Sequence, residues 1–374
     1  MELYRLIEKC LTGLLQWVWR IFIGIHEIKN IVAKRHLIQK VRLTDAQKKQ
    51  IDAFYLEHYG KKVPYWWHRL YTGYTGEFDY KYLPEYLFSM VIEPKSNKRV
   101  NVLPLENKNM LESVFVSGDN MVRVPETYMM CVDGHFVNKD KESLTKEEAI
   151  CELLDLCEGD YQAVIKATVD TSSGRDIRMI QVKERRLVVD GDTWENLFEK
   201  MGTNFVIQER IKPHQTFAEL YAHSINTLRV ISYRCGEKIY IAPIIMRIGQ
   251  GGGVVDNAHA GGMFIGVTDD GKLMPEAFTE YQKRYRKHPD TGIVFDGYQL
   301  PKVQRIKECA QKMHMRTPML DFISWDFTLD EQGEIVLIEA NLHAQAVWVS
   351  QIAHGKTFFD ENAEAMLKYC RERK

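Results

Sequence analysis

The sequence lacks any excess of charge of one sign. It has 50 Lys and Arg residues against 51 Asp and Glu residues, which gives a formal net charge of −1 over 374 residues. Proteins that bind nucleic acid through its phosphates generally carry a basic excess or a basic stripe. Nucleic acid is therefore not an expected partner. With 45% apolar residues, the chain is long enough to bury the cores of two or three globular domains.

Cysteines are few and widely spaced. The seven cysteines form no C-x-x-C pair and no tight cluster, which argues against a disulfide framework and against a zinc site. Scattered cysteines of this kind are typical of proteins in a reducing compartment. We therefore expect a cytoplasmic protein.

No apolar run is long enough to cross a bilayer uninterrupted. The nearest, LTGLLQWVWRIFIGI at residues 11–25, contains Arg20 and precedes no small-residue cleavage site, so neither a membrane span nor a signal peptide is expected. An amphipathic helix fits instead, and two interpretations stay open. Either the helix packs on the protein's own core, or residues 11–35 contact the inner face of the membrane through Trp17, Trp19, Phe22, Lys29, Lys34 and Arg35.

Three regions differ in pattern. Residues 1–40 form the amphipathic helical segment. Residues 41–106 form an accessory region that opens with TDAQKKQIDAFYLEHYG, a helix with a Thr N-cap candidate and a terminal Gly. The accessory region continues with aromatic residues that we expect to be core. In residues 107–374, short β-rich runs alternate with helical runs, which indicates a mixed body of helices and sheets.

The usual nucleotide-binding motifs are absent. There is no G-x-x-x-x-G-K-[ST] loop, no strand-linked G-x-G-x-x-G and no kinase H-R-D or D-F-G. However, in AVIKATVDTSSGRDIRMI a β-run ends near Lys166 and leads into a loop with Ser172, Ser173 and Gly174. Small residues let backbone N–H groups approach phosphate, and a lysine adds a point charge. The stretch is either a phosphate-covering hairpin or an ordinary turn.

Two arginines lie inside predicted strands. Arg229 in SINTLRVISY and Arg247 in IIMRIG would be costly to bury without an anionic partner, because the guanidinium keeps its charge. A ligand phosphate would satisfy either of them. The alternative is that they lie on an edge strand and face water.

Two loops are candidates for substrate contact. GQGGGVVDNAHAGGMFIGV has seven glycines in nineteen positions around Asp256, Asn257 and His259, so its backbone either approaches a ligand closely or is simply mobile. KHPDTGIVFDGYQLP places His288, Asp290 and Thr291 in a turn before a β-run. That turn is either a substrate contact or purely structural.

Near the C-terminus, two β-runs each deliver a carboxylate. Glu339 and Asn341 in LIEAN lie two residues apart and therefore share one face of a strand. Asp326 in SWDF would join them from an adjacent antiparallel strand, with DEQG as the connecting turn. Hard oxygen ligands that leave room for water and phosphates are what Mg²⁺ prefers. The three residues are the predicted magnesium ligands.

Taken in order, these motifs resemble the ATP-grasp superfamily. More narrowly, SINTLRVISY, RIGQGGGVVDNAHAGG, HPDTG and SWDF with LIEAN resemble the sugar-transfer associated ATP-grasp family, which is found among bacterial surface-polysaccharide genes. The likeness covers roughly residues 40–370. It implies an α+β fold in which two subdomains hold ATP between their sheets, with a helical, aromatic-rich N-terminal extension and a lid subdomain at about residues 161–211.

The resemblance also implies site residues. Arg229 would neutralise the γ-phosphate, Asn257 would lie near the reacting carboxylate and His288 would be catalytic. Asp326, Glu339 and Asn341 would hold Mg²⁺. The residues implied to bind ATP are Lys108, Lys166, Ser172, Ser173, Gly174, Gln208, Glu209 and Ile211, the last three chiefly through the backbone. The hairpin has one glycine where many superfamily members have several, so it would either be stiffer or cover the phosphates less completely.

The implied activity is ATP-dependent ligation. A small-molecule or sugar-linked carboxylate would become an acylphosphate, and an amine or hydroxyl acceptor would then displace phosphate, in bacterial surface-polysaccharide biosynthesis. Two alternatives stay open: a kinase that phosphorylates a sugar-like hydroxyl, and a non-catalytic nucleotide-binding component of a polysaccharide assembly.

Overall fold

The structure, a computed structural model, describes residues 2–116, 121–157, 159–168, 177–187 and 193–372. Within these ranges it contains a helical N-terminal region and two antiparallel sheets. The helices of the N-terminal region are α1 (Glu2–Ala33), α2 (Arg35–Ile38), α3 (Asp45–His58), α4 (Trp66–Thr75), α5 (Glu85–Leu87), a π-helical turn (Phe88–Ile92), α6 (Glu93–Ser96), α7 (Arg99–Val102) and α8 (Leu111–Phe115).

The first sheet has seven strands in the order β3-β2-β1-β7-β4-β5-β6. Its strands are β1 (Thr127–Val132), β2 (His135–Asn138), β3 (Ser143–Leu144), β4 (Gly159–Ala167), β5 (Ile177–Lys183), β6 (Arg186–Leu187) and β7 (Phe205–Glu209). Two helices, α9 (Lys146–Leu156) and α10 (Trp194–Met201), pack their apolar sides on this sheet. The sheet therefore has a core of its own.

The second sheet has eight strands. Seven follow the order β13-β12-β11-β10-β8-β14-β15, and β9 pairs with β8. Its strands are β8 (Thr227–Cys235), β9 (Lys238–Ile241), β10 (Ile245–Ile248), β11 (Met263–Val267), β12 (Leu273–Phe278), β13 (Arg284–Tyr285), β14 (Phe322–Leu329) and β15 (Ile335–Asn341). The associated helices are α11 (Gln215–Leu220), α12 (Val303–Met315), α13 (Trp348–His354) and α14 (Ala363–Glu372).

Helix α3 begins as the sequence predicts. Thr44 accepts a hydrogen bond from the backbone of Gln47, while the Gln47 side chain accepts one from the backbone of Thr44. This reciprocal capping box satisfies two backbone donors that the first helical turn leaves without partners. Gly60, just beyond the helix, has a φ of +86°, a conformation that favours glycine. The predicted N-cap is confirmed.

The aromatic residues of the accessory region form a core, as expected. Tyr71, Tyr74 and Tyr82 are fully buried and pack in one cluster with Phe264 and Phe278 of the eight-stranded sheet. The accessory region therefore covers one face of that sheet and shares its core.

No helix among the described residues combines the length and the apolar content needed to cross a bilayer, and this includes the 32-residue α1.

One buried asparagine joins the accessory region to the second sheet. Asn97 donates to the carbonyls of Phe322 (2.6 Å) and Leu342 (2.7 Å). Its side-chain oxygen accepts from the backbone N–H groups of Asp321 (2.9 Å) and Phe322 (3.0 Å). The four bonds pin the first residue of β14 and the residue just after β15. Asn97 therefore fixes the ends of the two strands that carry the predicted metal ligands.

Two buried glutamates extend this clamp along the chain that follows β15. Glu93 accepts from the backbone of Ala344 and Gln345, at 3.0 Å each, and Glu85 accepts from the backbone of Val347 at 3.1 Å. The accessory region thus satisfies backbone groups of residues 342–347 through side-chain hydrogen bonds, with Asn97 donating and the two glutamates accepting.

We expect Asn97→Ala to destabilise the fold by about 3 kcal/mol, because it leaves buried backbone donors and acceptors without partners. Urea unfolding followed by circular dichroism measures the loss. Asn101→Ala is the matched control, since within the described residues the Asn101 side chain makes a single hydrogen bond, at 3.3 Å to the Met319 carbonyl. Equal stability of the two variants would contradict the clamp.

Candidate active site

The candidate site begins on one face of the eight-stranded sheet. Strand β14 lies between β8 and β15, and the pairing places Asp326 opposite Arg229 on one side and opposite Glu339 on the other. Asn341 lies opposite Ser324, two residues from Asp326. The hairpin of Asp326 and Glu339 predicted from the sequence is therefore present.

Asp326 is the most enclosed charge of the site. Its side chain is 1% exposed and receives bonds from Arg229 Nε and Nη2, both at 2.9 Å. Arg247 Nη2 lies 3.1 Å from the same carboxylate, and Asn341 donates to it at 3.3 Å. Burial raises the pKa of Asp326, but Arg229 and Arg247 outweigh that effect and hold the pKa below its ordinary value. Asp326 is therefore a buried anion shared by two arginines.

A second carboxylate, Asp256, anchors the glycine-rich loop (residues 249–267) to Arg247 through Thr227. Asp256 accepts from the backbone N–H of Thr227 (2.8 Å) and from its hydroxyl (2.7 Å). The Thr227 hydroxyl oxygen in turn accepts from Arg247 Nε at 2.9 Å and Nη2 at 2.7 Å. The start of the loop is thus tied to β8 and β10. The sequence motifs singled out Arg247 and Asp256, but no motif marked Thr227 as part of the site.

Lysines from elsewhere in the chain meet Glu339 between the two sheets. Lys108 Nζ lies 3.4 Å from Glu339 and donates to the carbonyl of Ala167 on β4. Lys166, on the same strand, is buried. Burial lowers the pKa of Lys166 to about 8, with Lys108 acting in the same direction and Glu339 opposing both. Lys108 and Lys166, beside the seven-stranded sheet, thus face the Glu339 carboxylate of the eight-stranded sheet.

The predicted adenine segment is positioned by its own side chains. The Glu209 carboxylate receives two bonds from Arg123, at 2.9 and 3.1 Å, and one from the backbone of Glu126. Gln208 is buried and donates to Thr127 at 3.0 Å. Ile211 is buried. The Glu209 carboxylate and the Gln208 amide nitrogen are therefore bound by the protein itself, and contact between this segment and a nucleotide stays a prediction. The partner Arg123 carried no sequence signal.

The proposed phosphate-covering residues Ser172, Ser173 and Gly174 lie outside the described part of the chain.

Asn257 and His288 both form hydrogen bonds with the backbone of the glycine-rich loop. Asn257 accepts from the backbone of His259 at 3.0 Å and caps a short 3₁₀ turn. His288 is fully buried; one ring nitrogen contacts the Gly249 carbonyl at 2.8 Å and the other the backbone N–H of Asp290 at 3.2 Å. Asp290 accepts from the backbone of Gly251 at 2.7 Å. The HPDTG turn thus holds this loop in place.

A histidine–glutamate pair lies at the outer end of the same loop. His259 Nδ1 contacts Glu280 at 2.8 Å, and Lys34 Nζ lies 3.2 Å from the other oxygen of Glu280. Lys34 also lies over the Trp348 ring, 4.5 Å from its centroid. Glu280 was not found from the sequence, because no motif marks it. The pair ties the loop to the chain that follows α1.

Two of the three predicted metal ligands fit a magnesium ion directly. Glu339 is one-third exposed, and Asn341 donates through its amide nitrogen, so its amide oxygen is oriented away from that bond. Within the described ranges no cluster of three or more His, Cys, Asp or Glu side chains could hold a metal. Mg²⁺ commonly takes one or two carboxylates and completes its shell with water and phosphates. Asp326 instead has both oxygens bound to arginines.

Three solved structures with related folds are the VanG D-Ala:D-Ser ligase from Enterococcus faecalis (13% identity, TM-score 0.41, 72% of this chain and 62% of that chain), an L-amino acid ligase from Bacillus licheniformis (13%, 0.38, 73% and 52%) and N5-carboxyaminoimidazole synthetase from Staphylococcus aureus, complexed with ADP (10%, 0.36, 64% and 45%). The chain thus spans less than two thirds of each. No curated protein sequence matches it.

The family model for sugar-transfer associated ATP-grasp matches residues 87–366. The match begins inside the accessory region, at the helices that clamp residues 342–347, and it contains both sheets and every described candidate site residue. It covers well over half of the chain, and the two antiparallel sheets are those of the ATP-grasp fold. The chain belongs to the sugar-transfer associated ATP-grasp family.

Proposed function

We propose that the protein is an ATP-dependent ligase that joins a carboxylate to an amine or a related nucleophile, working in the cytoplasm in bacterial surface-polysaccharide biosynthesis. The observation that carries the proposal is the meeting of opposite charges between the sheets. Lys108 and Lys166 face Glu339, beside the buried Arg229–Asp326 pair. Nucleotide phosphates would bind the lysines, and magnesium would bind Glu339 and Asn341.

The reaction suited to this site has two steps. An oxygen of the substrate carboxylate attacks the γ-phosphorus of ATP, the bond to the β-phosphate oxygen breaks, and ADP leaves with an acylphosphate remaining. The acceptor nitrogen then attacks the carbonyl carbon, loses a proton, and inorganic phosphate leaves. Magnesium would offset charge on the β- and γ-phosphates. No protein nucleophile is needed.

The chain's own residues supply binding and positioning. Lys166 and Lys108 bind the phosphates, with Ser172, Ser173 and Gly174 covering them. Backbone groups near Gln208, Glu209 and Ile211 hold the base. Asp326 keeps Arg229 extended toward the γ-phosphate.

The glycine-rich loop serves the substrate side. Asn257 lies near the reacting carboxylate. Because both ring nitrogens of His288 contact backbone groups, we assign His288 the role of positioning this loop in place of direct contact with substrate.

An ADP-release screen tests the ligase assignment. Purified protein with Mg-ATP is offered amino acids and sugar acids, alone and with amines, and the product mass is measured. A ligase should release ADP only with a carboxylate and yield a product that has lost water. A phosphate ester of a hydroxyl would identify a kinase, and absence of turnover together with tight ATP binding would favour a binding component.

Substitutions at the two carboxylates should separate their roles. Glu339→Gln removes the carboxylate that Lys108 and Lys166 face, but Glu339 is one-third exposed and Lys166 can lose its proton. The nucleotide-free protein should therefore lose little thermal stability. ATP turnover should nevertheless fall by about 10²–10³. Asp326→Asn deprives two buried arginines of their shared anion and should cost about 3–5 kcal/mol without nucleotide. Thermal unfolding with and without Mg-ATP checks both. Unchanged Mg-dependent ATP binding and turnover in Glu339→Gln would remove Glu339 from the site.

The pKa of Lys166 predicts pH-dependent nucleotide binding. Burial, and to a smaller extent the nearby Lys108, place the pKa of Lys166 at about 8 in the empty protein. The amine is therefore charged below that pH and loses its proton above it. A bound phosphate keeps the proton, so ADP affinity should fall about tenfold per pH unit above 8. ADP binding is measured in EDTA, so that no metal contributes.

Lys166→Arg should abolish this dependence, because a guanidinium stays charged. Lys183→Arg, an exposed change on β5, is the control and should behave as wild type. ADP binding that is as tight in Lys166→Ala as in the unaltered protein would show that the nucleotide lies elsewhere.

A further inference from the structure

Helix α1 exposes a continuous apolar stripe. Seven large apolar side chains, each 41–64% exposed, recur at spacings of three and four residues: Leu14, Val18, Ile21, Phe22, Ile25, Ile28 and Val32. This spacing places them on one side of a helix. From Leu14 to Val32 the stripe is about 27 Å long at 1.5 Å per residue. Soluble monomers rarely leave so many adjacent apolar side chains in water.

The opposite side of the same helix is the side that packs on the protein. Gly24 lies so close to Met90 that an added Cβ would come within 2.8 Å of it. Ile31 is buried in the accessory core, and Glu27 reaches Ser89 at 3.5 Å. One face of α1 therefore packs on the protein's own core, and the apolar stripe on the other face stays exposed.

Positive charge accompanies the stripe. From residue 13 to residue 43 the sequence has six Lys and Arg residues and one acidic residue, Glu27, which lies on the packed side. Lys29, Arg35, Lys40 and Arg42 are exposed. Lys29 is one residue beyond Ile28 in the stripe. Since the whole protein is nearly neutral, this basic segment is a local feature.

We propose that α1 and the chain after it dock on an anionic lipid bilayer, with the stripe in the interface and the basic residues at the headgroups. An amphipathic helix lies in the plane of the bilayer when its apolar side enters the acyl boundary and its cationic flank meets anionic lipid. The absence of a bilayer-crossing helix among the described residues is consistent with such surface attachment.

A second copy of the chain fits the stripe less well. Two copies would bury their apolar sides together but would also bring identical basic flanks close to each other, where like charges repel. An anionic bilayer satisfies both the apolar and the cationic component. Charge complementarity therefore favours an anionic bilayer over a second copy of the chain.

Vesicle co-sedimentation of the full chain tests the proposal. We expect binding to vesicles of phosphatidylcholine with about 30% phosphatidylglycerol, and much weaker binding to pure phosphatidylcholine or at high salt. Ile21→Asn with Ile25→Asn should reduce vesicle affinity at least about tenfold. Lys29→Glu with Arg35→Glu should reduce it by at least about fivefold for each basic residue lost.

Two matched controls use exposed residues outside α1. Val294→Asn with Met315→Asn changes two side chains that are about as exposed as the stripe, and Lys238→Glu with Lys283→Glu reverses two exposed charges. Both should bind vesicles like the unaltered protein, and all variants should keep ADP binding, which reports folding independently of the vesicles.

Two outcomes would overturn the proposal. One is that the unaltered protein fails to bind the anionic vesicles, or binds equally after the stripe substitutions. The other is a dimer in analytical ultracentrifugation that the same stripe substitutions dissociate, which would make a second copy the occupant. The ligase assignment survives either result, because it is measured by ADP release without vesicles.

Discussion

The site depends on one buried carboxylate, Asp326, shared by Arg229 and Arg247. An unpaired charge in a protein interior is strongly unfavourable, so each member of the group requires the others. The pairing of β8 with β14 sets Arg229 directly opposite Asp326, and Arg247 reaches the same carboxylate from β10. Through Thr227 and Asp256 the network continues into the glycine-rich loop. The position of the glycine-rich loop thus depends on this charge pairing.

Glu339 differs from Asp326 although the two are opposite each other on paired strands. It is partly exposed and its cations, Lys108 and Lys166, come from a different part of the chain. A contact of this kind is weaker and exchangeable, because water screens it. On the proposed function, nucleotide and metal would replace this contact, because phosphate would bind the lysines and the ion would bind the carboxylate. A site that must hold its geometry while its ligands change needs one rigidly paired anion beside a second anion whose partners can be exchanged.

The sequence predicted local relations well and distant ones poorly. The period of two in LIEAN and the short DEQG turn predicted that Asp326 and Glu339 would meet, and a Thr N-cap candidate predicted the start of α3. No local pattern could show that Asp326 is bound by Arg229, 97 residues away, or that the Glu209 carboxylate is taken by Arg123. Such pairings depend on which strands become neighbours, which tertiary packing decides.

The N-terminal helical segment and the accessory region both contact parts of the candidate site. Lys34, just after α1, pairs with Glu280, which holds His259 in the glycine-rich loop, and Glu85, Glu93 and Asn97 hold the chain around β15 by buried hydrogen bonds. On the membrane assignment of α1, the part of the candidate site connected most directly to the bilayer is therefore the glycine-rich loop.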